Sequence, residues 1–169
     1  LVKHFNRYLT IGGFPELALS DDDLYAQRML REDVVDKVIK RDVLTLFKVR
    51  SPLLMEKLFL YLCMNSTEIF SATTAAKELD NISPNTIESY VDALVKSNLI
   101  YMAYPIAVGS KSVLKGRPKI YIADAAIRNA VLMVDDVLSD ERELGLLIET
   151  TVYKHLVSFY QGTGAQLGY

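Results

Sequence analysis

The chain has 169 residues, half of them apolar, and a formal net charge of −2 at pH 7. This length allows one domain or two small ones, and the near-zero charge excludes a globally basic nucleic-acid binder, so a DNA surface would have to be local. The single cysteine, Cys63, excludes an internal disulfide and a cysteine-based zinc site and is typical of a reducing cytoplasm. No apolar run approaches the about 20 residues that span a bilayer. We therefore expect a cytoplasmic protein without a membrane partner.

The first fifty residues contain a helix end, a glycine break and one long amphipathic helix. Gly12 and Gly13 interrupt the first helical pattern, and the acidic run 21–23 provides a cap for the next helix, because carboxylates suit the positive end of a helix dipole. That helix is predicted to run to Phe47, with apolar residues at four-residue spacing on one side and charge on the other.

The middle of the chain has the element order of a winged helix-turn-helix. Ser51 and Ser83 each precede a proline and signal the starts of two helices, because serine can cap free amides and proline has no amide to satisfy. A short helix of small residues lies between them. Two β-prone segments follow, LIYMAYPI and KIYIA. Helix, short helix, turn, helix and hairpin is the order of that fold, so we predict a mainly α fold with a small β-hairpin, a winged helix-turn-helix with flanking helices.

One-sided positive charge is confined to the predicted wing. Residues 99–123 carry four basic side chains and no acid, namely Lys111, Lys115, Arg117 and Lys119. Such side chains can contact phosphates, and binding through them would weaken as salt rises. A solvated hairpin loop is the alternative interpretation.

The helix that follows Ser83 is the candidate for reading bases. Its N-terminal outward residues are predicted to be Asn85, Thr86, Glu88 and Ser89, and the amide and hydroxyl groups among them can hydrogen-bond base edges. However, this helix contains no Arg or Lys before Lys96. Its net negative charge would therefore be repelled by a polyanion. A scaffold or docking helix is therefore the favoured interpretation.

The last part of the chain is predicted to be helical. Asp124 follows the second β-prone segment and is expected to cap the helix AAIRNAVLMV. The final helix carries an apolar stripe made of Leu144, Leu147, Ile148, Val152, Leu156 and Phe159.

Residues that would carry catalysis do not form a set. The sequence contains neither a G-x-x-x-x-G-K-[ST] phosphate loop nor a G-x-G-x-x-G fingerprint. The two histidines, His4 and His155, are far apart and lack a metal-ligand pattern. We therefore predict no catalytic residue and no metal ligand in this chain.

Five segments together give the chain a resemblance to a known family. They are IGGFPE, EDVVDKVIKRDV, SPNTIESYVDALVKSNLIYMAYP, KGRPKIYIADAAIRNAV and LIETTVYKHL. In this order and spacing the chain resembles the C-terminal half of a prokaryotic family of ATP-binding proteins, AAA-type ATPases followed by a domain of unknown function.

The resemblance implies three domain segments. Residues 1–50 would be the helical lid and connecting segment of an ATPase, residues 51–123 the winged helix-turn-helix, and residues 124–169 the helical start of a truncated region similar to the PD-(D/E)XK nuclease fold. Glu149 would be the first acid of that nuclease-like region. The strands that complete it would lie after Tyr169, and without them the apolar stripe of the last helix would be exposed and could pair between chains.

The resemblance also implies an ATPase core, cofactors and a partner that lie outside this chain. The chain begins with Leu, and we expect it to be a fragment whose ATPase core lies before residue 1. ATP and Mg²⁺ are implied only for that core, and no cofactor is expected in the fragment itself. The expected partner is the ATPase domain of the same protein or another protein, with DNA as an alternative.

Three functions compete at this stage. The first is a non-catalytic winged-helix module for interaction or regulation, favoured by the net negative charge of the helix that follows Ser83 and by the near-neutral total charge. The second is a DNA-binding module that uses the basic wing. The third is an incomplete part of a PD-(D/E)XK-like nuclease domain, which depends on Glu149.

Overall fold

The computed structural model describes residues 2–47, 49–106, 116–134 and 136–169, and for residues 34–36 it describes the backbone alone. The fold is mainly helical with one small antiparallel sheet, as predicted. In chain order, the elements are α1 (Val2–Ile11), α2 (Pro15–Ala18), α3 (Asp23–Arg31), a π-helix (Glu32–Val43), α4 (Leu44–Leu46), α5 (Pro52–Met64), α6 (Ala72–Glu78), α7 (Pro84–Lys96), β1 (Ile100–Ala103), β2 (Lys119–Ile122), α8 (Ala125–Leu132) and α9 (Glu141–Tyr160).

The segment predicted as one long helix up to Phe47 forms three consecutive helices, namely α3, the π-helix and α4. Asp22 caps its start, because its side chain accepts a hydrogen bond from the Tyr25 amide at 2.9 Å. After Arg31 the backbone widens into twelve residues of π-helix and returns to α only for α4. Hydrogen bonds in a π-helix join residues five apart. In this wider turn Ile39 and Val43 both lie in the core.

The main core lies between α5, α7 and the sheet. It is formed by apolar residues of these elements that are almost fully buried, among them Met55, Leu58, Phe59, Leu62, Ile87, Leu94, Ile100, Ile120 and Ile122. Cys63 lies in the same core, and burial raises the pKa of its thiol. Cys63 is therefore a buried core residue.

The sheet is short and is covered on both faces. β1 and β2 are antiparallel, with Ile100 opposite Ile122 and Ala103 opposite Lys119. Residues 67–70 run along the other edge of β2. Isoleucines of the two strands face the main core, while the Tyr121 ring stacks on Tyr153 of α9 at 4.1 Å between centroids. Helix α9 therefore covers the sheet on the face opposite the core.

The two Ser-Pro helix starts differ. The Ser51 hydroxyl accepts a hydrogen bond from the Leu54 amide at 3.3 Å, as predicted. For Ser83 the prediction of a side-chain cap is wrong, since its hydroxyl makes no such bond within the described chain. The Thr86 amide that it would cap is instead bound by the Ser83 carbonyl oxygen at 2.9 Å.

Helix α9 exposes most of its apolar stripe. Leu147 is fully buried, but Val152 is 52% exposed and Phe159 is 77% exposed. The buried side of α9 contains Thr150 and Tyr153 instead. This exposure is expected from the sequence if no further segment covers the stripe.

Among the described helices, none has the length and apolar character needed to cross a membrane.

Candidate functional site

The four basic residues of the predicted wing do not form one described surface. Lys111 and Lys115 lie outside the described residues. Arg117 is exposed, and its carbonyl oxygen accepts a hydrogen bond from the Tyr169 hydroxyl at 2.7 Å. Lys119 lies on β2, where its ammonium is 3.0 Å from a carboxylate oxygen of Glu149. The charge of Lys119 is therefore already partly neutralised by helix α9.

Glu149 lies at the centre of this contact between β2 and α9. One of its carboxylate oxygens accepts hydrogen bonds from the Lys119 ammonium and, at 2.8 Å, from the Tyr121 hydroxyl. Burial, and then the hydrogen bond to Glu149, raise the pKa of Tyr121, so its phenol remains a neutral donor. Over the described residues, no group of three or more His, Cys, Asp or Glu could hold a metal ion. The role of Glu149 as a nuclease-like acid stays a prediction.

The three residues proposed to read bases are close together. Asn85 and Ser89 are exposed, Thr86 is half-buried, and all three line a groove of about 850 Å³ together with Arg50. Sequence reasoning did not identify Arg50, since it lies in the connection before α5, 35 residues before Asn85. The groove therefore has a mixed polar and apolar lining, with the cation Arg50 and the anion Asp92 on its border.

A second groove of about 910 Å³ follows the sheet, between α7 and α9. Its walls come from α7, which contributes Glu88 and Val91, and from α9, which contributes Tyr153. Asp92 also lines it and is bound to Lys96, with 2.5 Å between the ammonium and a carboxylate oxygen. Sequence analysis missed this groove. The segment LIYMAYPI could have indicated it, because this segment is apolar at successive positions and not only at alternate ones.

The exposed stripe of α9 borders a third groove, of about 710 Å³, which lies against α1. Phe5 and Tyr8 of α1 line it, together with Val152, His155 and Phe159 of α9. Its lining is therefore mostly apolar, and two polar ring systems lie among the apolar side chains.

A chain of polar contacts lies behind that groove. The Lys154 ammonium contacts the Asp124 carboxylate and lies 3.1 Å from the Tyr8 hydroxyl, which in turn is 3.1 Å from Nε2 of His155. Burial lowers the pKa of Lys154, but the hydrogen bond to Asp124 and its charge outweigh burial, so the pKa lies above its ordinary value. Asp124 also accepts a hydrogen bond from the Ala126 amide, which confirms the predicted cap. These contacts join α1, α8 and α9.

Over the described residues, fold and surface together define a mainly helical domain with a small antiparallel sheet and open grooves, among them the three described above. The chain belongs to the family described as "Domain of unknown function (DUF8612)", which matches residues 2–138.

Curated relatives are distant and longer. An uncharacterized protein of Methanocaldococcus jannaschii is 30% identical over 172 residues, covering 100% of this chain and 35% of the relative. A second uncharacterized protein of that organism is 25% identical and covers 92% of this chain and 34% of its own length. One from Haemophilus influenzae is 25% identical, covering 75% of this chain and 32% of its own length. The chain thus spans about a third of the length of these relatives. No solved structure matches it.

Proposed function

We propose that this domain is a non-catalytic winged-helix module for interaction or regulation, and that it belongs to the C-terminal half of a longer AAA-type ATP-binding protein. The observation that carries this proposal is the exposed apolar face of α9. Val152, Leu156 and Phe159 are 52%, 40% and 77% exposed, and Phe5 of α1, 44% exposed, lies beside them. A contiguous apolar surface of this kind is typical of a protein contact, because water solvates it poorly.

The charges around the sheet also favour a protein partner over a polyanion. Exposed Glu88 and Asp92 give α7 an acidic outer side, and Lys96 is bound to Asp92. Lys119 is bound to Glu149. DNA would have to displace these carboxylates from the cations before its phosphates could bind them, which weakens the electrostatic attraction.

The partner that we propose is the ATPase part of the same polypeptide. This rests on the resemblance and on the length of the relatives, about two thirds of which lies outside the region that this chain matches. ATP and Mg²⁺ would bind in that other part. The domain described here would then supply a contact surface and no catalytic group.

The test uses the 30% identical M. jannaschii relative, expressed as two separate pieces: the third that matches this chain and the remainder. We expect the two pieces to form a complex in size-exclusion chromatography and calorimetry. Aspartate at the positions aligned with Val152 and Phe159 should weaken the complex, because it places charge in an apolar contact. Aspartate at the position aligned with Leu19, 87% exposed and distant from α9 in the sequence, is the matched control. Two pieces that do not associate would overturn the proposal.

DNA binding by the hairpin is the second candidate, favoured by the exposed side chain of Arg117, which follows the basic residues Lys111 and Lys115 in the sequence. It is tested by titrating duplex DNA at several salt concentrations. The comparison is a variant in which Lys111, Lys115, Arg117 and Lys119 are all alanine. The interaction module predicts weak binding that the variant barely changes. Tight, salt-sensitive binding that the variant loses would instead favour the DNA-binding function.

A further inference from the structure

We propose that the groove between α7 and α9 binds an extended segment of a protein partner, which adds to the outer edge of β1 as a further strand and places a basic side chain against Glu88. This inference rests on the proposed interaction function and specifies how one partner segment would be held.

The first support is the way in which β1 lines the groove. Ile100, Tyr101 and Met102 are consecutive, and all three border the same cavity. Successive side chains of a strand point to opposite faces of a sheet. A cavity that reaches all three therefore borders the strand's edge as well as a face, with α7 on one side and Tyr153 of α9 on the other.

The second support is that this edge is open and unprotected. In the part of the chain that the structure describes, residues 100–103 form backbone pairs with β2 and with no other segment. Natural edge strands are usually protected by lysine, proline or a bulge. The sequence of β1, IYMA, contains neither residue, and its pairing with β2 is regular. An edge of this composition is suited to strand addition.

The third support is that the last residues of the chain already form backbone pairs with the continuation of this edge. The Tyr169 amide donates to the Tyr104 carbonyl oxygen at 3.1 Å, and the Ile106 amide donates to the Tyr169 carbonyl oxygen at 2.9 Å. Gly168 is the parallel partner of Tyr104. The chain's own last residues thus show that the edge can hold a neighbour just beyond residue 103.

The charge of the groove indicates what the partner segment carries. Glu88 is exposed, and within the described residues it forms no ion pair, whereas the nearby Asp92 is bound to Lys96. A lysine or arginine of an added strand could therefore pair with Glu88. The rest of the wall is mainly apolar or aromatic, and its other polar side chains are Ser71, Thr73, Asn98 and the cation Arg117. About 910 Å³ is enough space for side chains from one face of a peptide.

The test begins with a display library of short random peptides selected on the folded 169-residue chain. The best binder is then synthesised with backbone N-methyl groups on odd or on even positions, which removes alternate hydrogen-bond donors. We expect one N-methylated set to abolish binding and the other to leave it within a few fold, because only every second residue of a strand bonds to a given neighbour. Hydrogen exchange should slow at residues 100–103 when the peptide binds.

Charge reversal at Glu88 supplies the matched comparison. Glu88→Lys should weaken a lysine- or arginine-containing binder at least tenfold, while Glu16→Lys, at an exposed position of α2, should leave binding unchanged. Circular dichroism checks that both variants fold. A binder that slows exchange on α9 but not on β1, or that tolerates both N-methylated sets, would overturn the inference, and so would a library that yields no binder. None of these results changes the two-piece association test of the proposed function, so failure of one is distinguishable from failure of the other.

Discussion

Arg128 and Glu143 form a two-point ion pair that fixes α8 against the start of α9. The two guanidinium nitrogens lie 2.7 and 3.3 Å from the two carboxylate oxygens, and the Arg128 side chain is only 4% exposed. Its third nitrogen donates to the Cys63 carbonyl oxygen at 3.0 Å, so the same side chain also reaches the end of α5.

Removing the carboxylate of this pair should destabilise the domain. Glu143→Ala leaves the Arg128 charge buried without its partner, and we expect a loss of about 3 kcal/mol in the free energy of unfolding. Urea denaturation followed by circular dichroism measures it. Glu141→Ala, at an exposed position two residues earlier, should lower the free energy of unfolding by well under half as much. Equal losses in the two variants would contradict a stabilising role of the Arg128–Glu143 ion pair.

The two Ser-Pro helix starts should respond differently to alanine. Ser51→Ala removes a hydrogen bond to the Leu54 amide, so we expect a loss of about 1 kcal/mol. Ser83→Ala should change stability by less than about 0.5 kcal/mol, because the Ser83 carbonyl oxygen already binds the Thr86 amide. Thermal and urea unfolding of both variants test this order, and a larger loss for Ser83→Ala would reverse it.

Two glycines should respond to alanine with opposite signs. Gly12 has a φ of +76°, and a Cβ there would lie 2.8 Å from a carboxylate oxygen of Asp124 and 2.9 Å from the Ala126 Cβ. Gly12→Ala should therefore cost about 2 kcal/mol or more. Gly145 lies in the exposed part of α9, with nothing within 4 Å of such a Cβ. Gly145→Ala should stabilise the domain by about 0.5–1 kcal/mol, as measured by urea unfolding; destabilisation at Gly145 would contradict this.

Stability should fall at alkaline pH partly because of Tyr121. Burial and the Glu149 carboxylate raise the pKa of this phenol above its ordinary value of 10.0. The unfolded chain therefore releases the proton at lower pH than the folded chain does. The stabilisation from Tyr121 is complete below pH 10 and is lost as pH rises through the higher folded-state pKa.

Tyr121→Phe should accordingly make the free energy of unfolding fall less steeply above pH 10. Urea titrations at a series of alkaline pH values measure the slope. Tyr25→Phe, at an exposed position of α3, is the control and should leave the slope unchanged. An unchanged slope in Tyr121→Phe would show that this phenol titrates alike in both states.

Local signals in the sequence predicted much of the fold. Asp22, Ser51 and Asp124 each cap the helix that the sequence assigns to them, because a cap needs only the amides two or three residues ahead. The same prediction was wrong at Ser83, because the Thr86 amide donates to the Ser83 carbonyl oxygen and not to its hydroxyl. The π-helix from Glu32 was not predicted, since four-residue apolar spacing is compatible with both helix types.

The candidate surfaces were harder to predict because they depend on contacts between distant residues. Lys119 was identified as a phosphate contact and Glu149 as a nuclease-like acid, but nothing local indicates that these two residues, 30 positions apart, bind each other. The groove along β1 arises from elements that are separate in the sequence, among them α6, α7, β1 and α9. Lys111 and Lys115 lie outside the described residues, so their assignment remains a prediction.

The last residues of the chain have a practical consequence for experiments. Gly168 fits closely against the hairpin, since a Cβ there would lie 2.1 Å from the Tyr104 carbonyl oxygen and 2.5 Å from Cγ1 of Ile106. Tyr169 is fixed beside it by its hydroxyl bond to Arg117. A fluorescent dye coupled just after Tyr169 would therefore sit next to the β1 groove and could report its occupancy by quenching. For the same reason, a bulky affinity tag fused at that point risks obstructing the β1 groove.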